Sequence, residues 1–219
     1  MKIHYYLGWF NNHFNKPLIN MLTNDIVDRK SLVLISADPY HYEDEEVGSI
    51  ELSWFHHAGI NFEEYHIIDF DISKEDAEQY IKDASVVFLL GGYAKEQNEL
   101  LVKYKLIDLI REKDIVLGTS AGSINMSKKW LYSEYTGNST KESQIIDGLG
   151  LDEFSVLSHY DLENTLNRIQ YDLHSLLTSM DVYASNKDCA LRVKNNEIDI
   201  IGDVYLISLQ SIIKLSETI

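Results

Sequence analysis

The run Ser85-Val-Val-Phe-Leu-Leu90 is uniformly apolar and ends in Gly91-Gly92. A strand with one face in water alternates polar and apolar residues. A strand with no alternation is covered on both faces, as a central strand between two helical layers would be. Three similar runs, Ile3–Leu7, Ser31–Ser36 and Glu64–Ile68, are separated by stretches with helical spacing, roughly Lys16–Asn24, Glu46–His57 and Lys74–Lys82. Strands alternating with helices predict an α/β fold with a mostly parallel central sheet and helices on both faces. A helical stretch, about Gln97–Glu112, leads to a further strand, Asp114–Leu117. Beyond it, Tyr132–Gly150 reads as polar and irregular, Phe154–Leu157 as a strand and Leu162–Ser179 as one long helix. The short runs Val182–Ala184, Ala190–Val193, Glu197–Ile201 and Val204–Ser208 read as antiparallel additions at the sheet edge. No Pro/Gly/Ser-rich linker divides the 219 residues, so a single domain over 1–219 is expected.

The strand Asp114–Leu117 runs into Gly118-Thr-Ser-Ala-Gly122, and Ser123–Trp130 can continue as a helix. This is the context of a nucleophile elbow, a serine held on a sharp strand-to-helix turn. Small residues flank such a serine because the turn brings the two backbones together and a larger side chain would clash. Ser120 would then stand at the carboxyl end of the sheet, close to the first N–H groups of the helix.

A formal net charge of -16, from 35 acidic against 19 basic residues, repels phosphate backbones and anionic membrane surfaces, so nucleic acid and membrane are not expected partners. The amino terminus has no secretory apolar region, no apolar run approaches the roughly 20 residues of a membrane span, and the lone Cys189 cannot form an internal disulfide. A cytoplasmic protein is expected.

A serine hydroxyl needs a base within hydrogen-bond reach and a group that orients the base. Of eight histidines, His159 is favoured because it follows a short strand and would sit on a loop at the same sheet edge as Ser120. His4 lies within the first strand and His56-His57 at a helix end. His13, His41 and His66 have no partner spacing, and His174 falls inside the long helix. No His/Cys cluster has zinc-ligand spacing, so no metal or cofactor is expected. Acyl transfer also needs backbone donors for the oxyanion. Gly91 and Gly92, at the end of a buried strand, can supply one and Ala121 the other.

With Gly91-Gly92, the elbow and Leu157-Ser-His-Tyr160 in this order, the chain resembles the dipeptidase E and cyanophycinase family of serine peptidases across essentially its whole length. The resemblance implies a class I glutamine amidotransferase-like, flavodoxin-like three-layer sandwich and a triad in the order Ser120, His159, acid. Two departures stand out. The family usually carries asparagine, often followed by threonine, after the paired glycines, whereas this chain has Tyr93-Ala94. Aligning on Ala190-Leu191 puts Lys187 where the family has its acid, with Asp188 beside it. Asp188 is therefore the candidate acid, and Asp161 the alternative. The implied reaction is hydrolysis of a small peptide, with an amino-terminal aspartyl residue as the family preference. Tyr93, Arg168 and Arg192 are candidates for substrate binding. Competing readings are a non-catalytic ligand-binding or scaffold protein, and an amidase or acyltransferase using the same triad on a non-peptide amide. A homodimer is the default assembly.

Overall fold

The computed structural model describes residues 1–40, 47–136, 138, 140, 142–158, 169–185 and 187–215. Five strands, β1 (Ile3–Leu7), β2 (Ser31–Ala37), β3 (Glu64–Ile68), β4 (Val86–Gly92) and β5 (Ile115–Thr119), pair in parallel. With β10 (Ala190–Lys194) and β11 (Glu197–Ile201) they form a seven-stranded sheet in the order β11-β10-β1-β5-β4-β2-β3. The last two strands add antiparallel at the β1 side, as the alternating tail predicts.

The central strands of this sheet are buried on both faces. On one face, α1 (Lys16–Asp25) and α2 (Ser49–His57) bury Leu18, Leu22, Trp54 and Phe55 against Leu34, Phe88 and Leu117. On the other, α3 (Lys74–Asp83), α4 (Ala94–Tyr104), α5 (Ile107–Arg111) and α6 (Ala121–Met126) pack Ile81, Leu100, Leu101, Ile110 and Met126 against Val33, Val87, Leu89 and Val116. Successive β4 residues belong to opposite cores, which explains why the strand carries no polar alternation. Helix starts follow local chemistry: Asn15 accepts from Leu18 N–H ahead of α1, and Ser73 accepts from Asp76 N–H ahead of α3.

The expected helix over 97–112 is two helices. Lys105, at φ 58 in the left-handed region, ends α4, a standard way to stop a helix. The elbow helix is also shorter than the sequence suggests. It closes at Met126, and the next residues form β6 (Lys129–Tyr132), paired with β7 (Gln144–Asp147) inside the stretch read as irregular.

The larger correction concerns the chain after position 154. A second, four-stranded sheet has the order β13-β12-β9-β8, from β8 (Ser155–Ser158), β9 (Val182–Ser185), β12 (Val204–Ile207) and β13 (Ile212–Leu215). These strands do not extend the main sheet. Val156 and Val204 face the core shared with α4 and α6, whereas Leu157, Val182, Ala184 and Ile207 pack on the short helices α7 (Ile169–Asp172) and α8 (His174–Leu177). With apolar groups on both faces, the sheet fits as a layer between helices and body. The described part of the expected long helix is these two short pieces, with Leu173 between them.

Candidate active site

Ser120 joins β5 to α6 with φ 50 and ψ -111. That backbone region is costly for any residue with a Cβ and persists only where the surroundings enforce it. The enforcement is visible. Ser120 N–H donates to Leu7 O at 3.2 Å and Ile124 N–H donates to Ser120 O at 3.0 Å. Ser123 Oγ lies within hydrogen-bond distance of both Leu7 O and Gly118 O, at 2.9 and 2.6 Å, and its one proton, shared between them, ties the first turn of α6 to β1 and β5. A methyl on Gly118 would lie 2.6 Å from the Gly122 carbonyl carbon, and one on Gly122 would lie 2.1 Å from Leu89 O. Both glycines are therefore requirements of the turn.

The neighbouring strand ends bring other residues to this edge. A methyl built on Gly91 would meet Ser120 Cβ at 3.4 Å and the Trp9 ring at 3.6 Å, so the β4 terminus and the segment after β1 flank the serine. Gly92 has φ 134, and its α-carbon sits so near Ala37 that a methyl would approach Ala37 O to 3.1 Å. Tyr93 follows, half-exposed, its ring 5.8 Å from that of Tyr40 at an interplanar angle of 87°. The two tyrosines form an edge-to-face pair beside the glycines.

The segment before β10 also reaches this edge. Gly8 N–H donates to Cys189 O at 2.8 Å, Asp188 N–H donates to Trp9 O at 3.1 Å, and Trp9 and Lys187 form an isolated parallel bridge. Asp188 has φ 53 and its carbonyl accepts from Asn15 Nδ2 at 3.1 Å. Lys187 and Asp188 are both exposed. They therefore stand at the rim, level with Trp9. His159, Asp161 and Arg168 lie outside the described residues. The strand that precedes position 159, β8, pairs with β9 so that Ser158 faces Ser185.

Arg192 is engaged elsewhere. It sits opposite Tyr5 on β1, below the strand ends. Its guanidinium donates to both Asp25 oxygens, Nε at 2.6 Å and Nη2 at 2.9 Å, and to Asp199 at 2.5 Å. Tyr5 OH and Lys194 Nζ also donate to Asp25. Burial alone would raise the Asp25 pKa, but hydrogen bonds from Arg192, Tyr5 and Lys194 outweigh it and hold the carboxyl below its ordinary value. This is an ion cluster between the end of α1 and β10.

Sequence reasoning missed a carboxylate at the edge itself. Glu51 on α2 is 6% exposed. Burial raises its pKa, partly offset by hydrogen bonds from the backbone N–H groups of Glu51 and Gly91. The signal existed: Glu51, Trp54 and Phe55 share the apolar face of α2, and all three are buried. A polar residue on such a stripe is the informative exception.

Ser120 thus stands on a strained turn between β5 and α6, with close-packed glycines on either side of it and a glycine pair beside it. Residues 11–201 match Peptidase family S51. The chain belongs to that family. As an S51 member it is a serine-type peptidase. Its fold is shared with solved structures of low sequence identity. One is a protein assigned as peptidase E from Listeria monocytogenes EGD-e, 18% identical with a TM-score of 0.65, covering 92% of this chain and 98% of that one. Another is a peptidase from an acI-B1 actinobacterium, 15% identical with a TM-score of 0.67, covering 99% and 95%. No curated protein sequence matches the chain significantly. Among the described residues, no helix of this S51 peptidase is long and apolar enough to cross a membrane.

Proposed function

We propose that this S51 peptidase cleaves small peptides through an acyl-enzyme on Ser120. The observation that carries the reading is the strained backbone of Ser120 at the head of α6, held between the close-packed Gly118 and Gly122 and beside Gly91. Ser120 Oγ attacks the scissile carbonyl while His159 takes its proton. The negative oxygen of the tetrahedral intermediate lies against the N–H groups of Gly92 and Ala121. His159 then returns the proton to the leaving amine, and water cleaves the ester by the same route in reverse. Asp188, at the rim beside Trp9, is the group that orients His159, and Asp161 is the alternative. Tyr93 with Tyr40, and Lys187 on the opposite rim, contact the residues flanking the scissile bond. Since Arg192 is taken up by Asp25 and Asp199, Lys187 among the described residues, together with Arg168, is the candidate cation for an acidic side chain such as an amino-terminal aspartyl group.

The test is hydrolysis of a dipeptide panel, including aspartyl, β-aspartyl and aromatic members, together with labelling by a fluorophosphonate. Wild-type protein should cleave part of the panel and label at Ser120, and folded Ser120→Ala should do neither. Full turnover in the alanine variant would falsify the assignment. Asp188→Asn and Asp161→Asn separate the two acids, since only the one that orients His159 should lower kcat with KM little changed.

A further inference from the structure

Strands β2 and β4 keep parallel register as far as Ile35 and Leu89, then slip, and the next pair is Ala37 with Gly92. A single intervening residue on β2, Ser36, thus stands opposite Leu90 and Gly91 on β4. A bulge of this kind takes backbone groups out of the ladder and bends the strand that carries it, often next to an active site. Here the bent strand is the one ending in Gly91-Gly92.

The carbonyls flanking the slip are satisfied by a side chain. Gln97, fully buried on α4, donates from Nε2 to Ile35 O at 3.0 Å and to Leu90 O at 3.2 Å. Its Oε1 accepts from Asn125 Nδ2 at 3.0 Å, and Asn125 Nδ2 also donates to Ala94 O at 2.8 Å. Asn125 is fully buried in α6, the helix that Ser120 opens. Its Oδ1 has no partner among the described residues, so the side chain uses both amide protons on this one connection. A continuous line of hydrogen bonds runs from the carbonyl before Gly91, through Gln97 and Asn125, into the elbow helix.

We propose that Gln97 and Asn125 are positioning residues for acyl transfer, locking the glycine turn to the elbow helix so that the backbone donors keep a fixed distance from Ser120 Oγ. The proposal rests on the reading of Ser120 as nucleophile. Space-filling alone would be served by two apolar side chains, without the desolvation cost of burying two amides. A directional link has a separate use, because oxyanion donors act through preorganisation at about 2.7–3.1 Å from the developing charge. A misplacement of about 1 Å can cost about 100-fold in rate.

The experiment follows fluorophosphonate labelling of Ser120, in which Oγ displaces fluoride from phosphorus and the phosphoryl oxygen takes the oxyanion position. Gln97→Met, Asn125→Leu and the double variant are compared with wild type. Each folded variant should lose about 10- to 100-fold in maximal labelling rate, with the half-saturating concentration within about twofold of wild type. The double variant should be no slower than the slower single one, because the two amides act as a unit. A maximal rate within about twofold of wild type, or a loss confined to the half-saturating concentration, overturns the proposal. If a single substitution prevents folding, the double variant supplies the same readout. Wild-type protein that does not label at Ser120 locates the failure in the nucleophile assignment, and the positioning role falls with it.

Discussion

Gly122 and Glu51 decide, residue by residue, how the end of β4 meets the turn at Ser120. Gly122 faces the Leu89 carbonyl so closely that even one methyl has no room. Gly122→Ala should therefore cost at least about 2–3 kcal/mol by overpacking against backbone. The urea midpoint checks it, and an unchanged midpoint would contradict the packing described. Glu51 makes a different demand, as burial lifts its pKa above the ordinary value of 4.5. Between that value and the raised one, the folded state keeps a proton that the unfolded state has released, so stability falls as pH rises through the window. The amide introduced by Glu51→Gln would be neutral throughout. Melting curves from pH 4 to 7 should show wild type losing ground to Glu51→Gln as pH rises, and parallel curves would refute the assignment.

Among the elements, α1 and β10 are joined by the Asp25 cluster, which offers a separation of stability from catalysis. Arg192→Leu leaves Asp25 buried with Lys194 and Tyr5 but without its bidentate partner. It should cost about 3 kcal/mol, while KM for any cleaved dipeptide stays within about twofold of wild type, since a cluster remote from the site does not couple to it. A selective rise in KM would return Arg192 to the substrate site. The Asp25 carboxyl is held below its ordinary pKa, so the cluster's contribution is present at neutral pH and is lost as pH falls through the lowered value. Much of this level was legible in the chain. The parallel strands, the elbow and the β10–β11 addition follow from apolar runs and glycine placement, because local pattern alone determines them. The second sheet was not legible, since β8 and β9 pair in parallel across a long stretch of chain and nothing local marks that pairing. Gln97, Leu100 and Leu101 repeat the pattern of Glu51, Trp54 and Phe55, a polar residue on a buried helical stripe. Such residues can be found by period, but what they bond to depends on tertiary approach.

For the whole molecule, the core that packs against α3–α6 takes residues from both sheets, with Val33 and Leu191 beside Val156 and Val204. Unfolding should then be one calorimetric transition, with van't Hoff and calorimetric enthalpies equal; two resolved transitions would mean that the second sheet folds independently. Within that single balance, the backbone of Ser120 is a debit of about 1–3 kcal/mol. Glycine adopts the same conformation freely, though it gives back about 0.5–1 kcal/mol through its looser unfolded chain. Ser120→Gly should therefore melt a few degrees above wild type, at about 2–4 °C per kcal/mol for a chain of this size, and hydrolyse nothing. The hardiest form of this enzyme would be an inert one, and its working form endures heat less well for the sake of a single hydroxyl.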